Sequence, residues 1–225
     1  MKKLVLILSM ALILAFFSGC GIGEKSLPTP EVNEESQFGV DLNINMDTID
    51  NYLGREDVVY RDMRMLFDPA DYAAIGGDAD LSRTIKGFKV VPYPYVATLG
   101  ALPVANAYAG DTLFDVEWNE DGTIAAVSEN YQESMLILEE LFPKDKPIFL
   151  MCGGGGYAGM MKSLLLYLGW EDSLLYNIGA NWEYKGSNSL ELIVYPEDAQ
   201  DNNIYATWRA DYAYIDFTRL HTKEQ

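Results

Sequence analysis

The sequence predicts an α/β fold with a β-hairpin inserted into it and a β extension at its C-terminus. Three observations carry that prediction. Pro147–Lys162 runs a short apolar strand, a cysteine, four glycines and an apolar segment of helical length in direct succession. Strand-like and helix-like stretches alternate ahead of it, at Asp57–Arg64, Pro69–Ala74 and Glu133–Lys146. An Asp-Gly turn between two alternating runs, and a tail rich in aromatic and β-branched residues, supply the β additions. With 225 residues, 49% of them hydrophobic, the chain can bury one good core.

From the start, Lys2 and Lys3 precede a 14-residue apolar run, Leu4–Phe17, and then Ser18-Gly19-Cys20. A membrane span needs roughly 20 apolar residues, so residues 1–19 are expected to be a signal peptide. The small residues before Cys20 resemble the lipobox of bacterial lipoproteins, which implies cleavage there and lipidation of Cys20. The mature chain would then be extracytoplasmic and held to the cell membrane by acyl chains. Losing two lysines would take its formal charge from −18 to −20, so charge attraction to anionic lipid does not hold it there. The same acidity argues against a nucleic-acid partner.

Residues 20–42 contain Pro, Glu and Ser without periodicity and are expected to be a flexible tether, with order beginning near Asn43. Asp47 is the expected N-cap of a short helix, Thr48–Leu53. Asp57–Arg64 is the first strand, ending in Asp-x-Arg, and Pro69–Ala74 one or two helical turns capped by Asp68. Residues 93–132 form an insertion: an uncharged stretch, Val96–Ala109, then a hairpin with strands Thr112–Trp118 and Thr123–Val127 around Asn119–Gly122. Glu133–Lys146 is an amphipathic helix with Met135, Leu138, Leu141 and Phe142 turned inward. Residues 187–225 are expected to give strands at Leu190–Tyr195 and Ile204–Phe217, pairing with the hairpin. His221, the only histidine, sits near the end and is expected to be solvated, which leaves no Cys-His dyad.

Chemistry concentrates on Cys152. With Cys20 lipidated it is the only thiol in the mature chain, so it has no internal disulfide partner. The glycine loop and the first turn of the following helix carry backbone N–H groups without intrahelical partners. If the amides of Gly153, Gly154, Gly155, Gly156, Tyr157 and Ala158 converge on the Cys152 sulfur, they stabilise a thiolate nucleophile. The bland alternative is a buried cysteine packed as a small hydrophobe. Gly154–Gly159 also fits G-x-G-x-x-G, but Asn177 stands where a dinucleotide site needs an acidic residue. Met160 excludes a P-loop, Ala158 excludes the Cys-x5-Arg phosphatase loop, and one usable cysteine with one distant histidine makes no zinc site. No cofactor or metal is expected.

Several of these motifs, in order, resemble the rhodanese-like sulfurtransferase domain. They are Asp62-Met63-Arg64, the turn Pro69–Ala74, Ile85-Lys86-Gly87-Phe88-Lys89-Val90-Val91-Pro92, the helix before the Cys152 loop, and Lys162–Trp170. Ser173–Trp182 resembles the family's last strand and Gly-Gly-x-x-x-Trp turn, compressed. The resemblance covers roughly Asn45–Gly186, within a domain expected at residues 43–186. It implies a parallel sheet flanked by helices on both faces, with Cys152 carrying sulfane sulfur as a persulfide from a small sulfur donor to a thiol acceptor. It also implies that Asp62 and Arg64 support the loop. Two positions depart from the family: Thr84 stands in place of its usual histidine, and Tyr157 in place of the loop arginine. The arginine's absence implies weak binding of anionic donors such as thiosulfate. It leaves a second reading open, an inactive binding module with a protein partner in the envelope.

Overall fold

The computed structural model describes residues 26–64, 83–98, 110–191 and 211–224. The expected signal peptide, Cys20 and the turn Pro69–Ala74 lie outside them, and no described helix is long and apolar enough to cross a membrane. Among the described residues there are nine strands: β1 Val59–Asp62, β2 Arg83–Ile85, β3 Lys89–Val90, β4 Phe114–Trp118, β5 Ile124–Glu129, β6 Ile148–Cys152, β7 Leu175–Ala180, β8 Ser189–Glu191 and β9 Asp211–Tyr212. The helices are α1 Tyr93–Val96, α2 Ser134–Leu141 and α3 Gly156–Tyr167. The architecture is α/β. Its main sheet has the order β7-β6-β1-β3-β9 with every neighbouring pair parallel.

The centre of the sheet explains the composition of β6. A parallel strand covered on both faces reads as a continuous apolar run, and all five residues from Ile148 to Cys152 are buried. Alternation then divides them. Ile148, Leu150 and Cys152 face one cluster, with Leu138, Phe142, Met161, Leu164 and Leu165 from α2 and α3. Phe149 and Met151 face the other, with Tyr60, Tyr176, Ile178, Ile44 and Ile49.

That second layer departs from expectation. Among the described residues the three α-helices lie against the first face, so the sheet is not flanked by helices on both. The second face is covered by residues 26–53, which include one 3-10 turn, Ile49–Asn51. Asp47 does not cap that turn; its N-cap is Thr48, and the amides of Thr48 and Ile49 donate to Asn45 O. Residues 26–42, expected to be a tether, are built into this layer. Asp41, 3% exposed, accepts from the amides of Glu31, Asn43 and Ile44 at 2.7–2.9 Å. The Tyr176 hydroxyl donates to Pro28 O at 2.7 Å. Backbone bonding and one buried carboxylate order this stretch, and neither shows as hydrophobic periodicity.

The insertion contains the expected antiparallel hairpin, β4–β5, with a register shift between Glu117 and Trp118. The C-terminal strands pair elsewhere: β8 runs antiparallel to β2, and β9 joins the main sheet beside β3. Among the described residues the tail meets the hairpin's end through a Tyr131–Thr222 bridge and Lys223 N donating to Asn130 O at 2.9 Å; residues 99–109 of the expected uncharged stretch, and residues 192–195 and 204–210 of the expected C-terminal strands, lie outside them. His221 is exposed as expected, but it is paired with Glu133 at 2.6 Å.

Candidate functional site around Cys152

Cys152 ends β6 at the carboxyl edge of the sheet, where open α/β folds place their ligand sites. The chain must reverse at once to pack α3 onto the same sheet. It does so through Gly153–Gly155, with Gly155 at φ +91° as the N-cap of α3, a conformation that favours glycine. The Gly155 N–H donates to Cys152 Sγ at 3.1 Å. The amides of Tyr157 and Ala158, in the first turn of α3, also bond the sulfur. Three of the six expected amides therefore reach it, while Gly153, Gly154 and Gly156 shape the turn.

Two of the loop's neighbours make demands of their own on the glycines. The Trp182 indole, about half exposed, lies so close over Gly154 that a Cβ there would overlap it. The Phe38 ring lies along Gly155 and Gly156, and the Phe38 carbonyl would sit 2.9 Å from a Cβ at position 159. Asn177 holds that carbonyl: its Nδ2 donates to Phe38 O at 2.7 Å, and its Oδ1 accepts from Gly179 N at 3.1 Å. Phe38 was not singled out from the sequence, and Asn177 entered it only as the residue that argues against a dinucleotide site. Asn177 shows only as a polar residue inside an apolar strand, and Phe38 as an aromatic in a polar stretch.

The electrostatics of the sulfur run against the expected activation. Cys152 is 2% exposed. Its burial pushes the thiol above the ordinary value, the three amides pull it down, and the nearby Asp62 carboxylate pushes it up again, with a net rise. Amide hydrogen bonds stabilise a thiolate, but here they offset only part of what desolvation costs. The resting sulfur is a protonated thiol at neutral pH.

Asp62 and Arg64 form an ion pair at 2.6 Å, 0% and 2% exposed. Arg64 also donates to Arg83 O at 2.6 Å, and Thr84 Oγ1 donates to Asp62 Oδ2 at 2.8 Å. Asn181 Nδ2 reaches the same Arg83 carbonyl at 3.2 Å. The pair thus ties together the ends of β1, β2 and β7. Lys162, an alternative cation for the loop, is paired with Asp172 at 2.9 Å. The Tyr157 ring stacks on Tyr93 at 5.6 Å and 14° between planes. A half-open polar cavity of about 270 Å³ lies elsewhere, beside the hairpin, between Asp111, Asp115, Asn130 and Lys223.

Compared with protein-family models, with curated proteins and with solved structures, the chain matches none.

Proposed function

We propose that the chain is a rhodanese-like sulfur carrier, exported and anchored to the membrane through a lipid on Cys20, with Cys152 as the persulfide-bearing residue. The observation that carries this reading is the set of three amides, from Gly155, Tyr157 and Ala158, directed at the one free thiol among the described residues. Such donors strengthen as charge develops on the acceptor, so they serve a transient thiolate or persulfide anion more than the resting thiol. In the transfer step the Cys152 thiolate attacks the outer sulfur of R–S–SH. An Sγ–S bond forms, the donor's S–S bond breaks, and the electron pair leaves on R–S⁻. An acceptor thiolate takes the outer sulfur in the reverse sense, and Cys152 is regenerated. Asp62 and Arg64 hold the strand ends around the loop and take no part in bond making.

The test is mass spectrometry of the full chain after exposure to a low-molecular-weight persulfide. A 32-dalton gain on the Cys152 peptide, absent in Cys152→Ser, is expected, followed by its discharge to an added thiol. No gain at any pH between about 7 and 10 overturns the reading. A second reading, an inactive envelope binding module, is favoured by the sulfur's 2% exposure and raised thiol. Membrane attachment is checked separately, by fatty-acid labelling that Cys20→Ser abolishes.

A further inference from the structure

The inserted hairpin has one open side. β4 and β5 make a two-stranded sheet. The far side of β4 is taken: Ala97 bridges Phe114, Thr98 N donates to Phe114 O at 3.1 Å, and Val116 N donates to Thr98 Oγ1 at 2.8 Å. Among the described residues no strand pairs with the far side of β5. An edge strand turns every second N–H and C=O outward, and those groups are a template for another strand. Lysine and proline, which natural edges use to refuse one, are absent from Thr123–Glu129. Half-buried Ile124 and Val127 pack β5 against the core, while Ala125, Ala126 and Ser128 are exposed.

Charge selects the occupant. Between its first and last strand residues the hairpin carries Asp115, Glu117, Glu120, Asp121 and Glu129, and no Lys, Arg or His. Lys223, from the tail, offsets Glu129 alone. Asp115 and Glu117 stand opposite Ser128 and Ala126 in the ladder, and so share a face with them. Neighbouring strands lie about 4.8 Å apart, so a strand added beside β5 runs roughly 10 Å from β4. The side chains between, Ala126 and Ser128, are short. Lysine or arginine side chains at alternate positions of the added strand can therefore extend over them to Glu117 and Asp115. A second copy of this chain would bring the same acids to the edge at a net charge of −18, and like charge opposes that pairing.

We infer that the open edge of β5 takes an extended segment of another protein as a third strand, a segment with Lys or Arg at alternate positions. Backbone hydrogen bonds hold the segment, and Asp115 and Glu117 select its charge. This docking is independent of the chemistry at Cys152.

The probe is a fluorescein-labelled octapeptide alternating lysine and threonine, titrated with the full chain and followed by anisotropy. It is expected to bind at low salt and to weaken as salt rises. The same peptide with glutamate in place of lysine is expected not to bind. N-methylation of alternate backbone amides keeps the charge but blocks strand pairing, and should weaken binding by at least about tenfold. Glu117→Lys, at an exposed position, should weaken it about fivefold, the scale of one exposed ion pair. Amide exchange at Ile124–Glu129 should slow when the lysine peptide is added. Absence of binding, or equal binding of the glutamate peptide, overturns the choice of a basic partner. Equal binding of the N-methylated peptide, or unchanged exchange in β5, overturns strand addition. Protection of β5 that grows with protein concentration alone makes a second copy the occupant and also overturns the proposal.

Discussion

Replacing Gly159 by Ala pits two physical effects of opposite sign against each other. Gly159 lies inside α3, where exchanging glycine for alanine at an open position stabilises by about 1 kcal/mol. Here the new Cβ would meet the Phe38 carbonyl oxygen at 2.9 Å. The obstacle is backbone, held in place because Asn177 Nδ2 donates to that oxygen at 2.7 Å. Relief moves the carbonyl away and leaves the buried Asn177 amide with Gly155 O at 3.4 Å as its remaining acceptor. An unsatisfied buried donor costs about 1–3 kcal/mol. The net expectation is destabilisation of about 0–2 kcal/mol, a fall in Tm of up to about 8 °C for a chain of this length. Thermal and urea unfolding of the full chain, followed by circular dichroism, measure it. A Tm that rises would refute the reasoning, because helix propensity would then have won. A cycle with Asn177→Ala adds a sharper check: the Gly159→Ala penalty should shrink by at least about 0.5 kcal/mol once the Asn177 donor is gone. An unchanged penalty would show that the clash is not transmitted through that hydrogen bond.

Other outcomes follow from the same contacts. Asp62→Asn leaves the buried Arg64 without its counter-charge and should destabilise by about 3–5 kcal/mol. It also removes a carboxylate that raises the Cys152 thiol, so iodoacetamide should alkylate the still-folded variant faster at neutral pH; slower alkylation would contradict the assigned electrostatics. A chain beginning at Asn43 loses the bonds of Phe38 O, Pro28 O and Asp41 to the sheet layer. At about 1 kcal/mol each, its Tm should drop by roughly 6–12 °C, and an unchanged Tm would show that residues 26–42 are dispensable. Stability should decline above pH 9. The folded Cys152 thiol is raised from its ordinary 9.0, and Tyr176 is raised from 10.0 to about 12. Both groups favour the folded state while protonated, so their contributions are complete below the unfolded values and lost as pH climbs through the folded ones. Urea midpoints that hold steady from about pH 8 to 11 would count against both shifts.

The features that were legible in the sequence are those that write themselves as local pattern. A strand buried on both faces must be apolar throughout, so Ile148–Cys152 announces itself. An alternating hairpin needs its Asp-Gly turn, and α2 shows the inward residues Leu138 and Phe142 at helical spacing. The second face of the sheet was opaque for the converse reason. Its cover, residues 26–53, is ordered by carbonyls, amides and the Asp41 carboxylate, whose partners cannot be read from a polar, aperiodic stretch. The pairing of β8 with β2 and of β9 with β3 is likewise long-range, and β propensity names strands without naming neighbours. The glycine run pointed to the right place for only half of the reason. Its entropic cost implied a constraint that ordinary packing does not impose, and Gly155, with its left-handed backbone and its N–H on the sulfur, meets that description. Gly154 and Gly159, however, are required by Trp182 and Phe38, which are matters of packing. The same burial that explains those two glycines raises the thiol that the amides were expected to activate. The loop is therefore built to support charge on a sulfur that its surroundings keep neutral at rest, and any chemistry at Cys152 must begin with a ligand, or a rise in pH, that alters that balance.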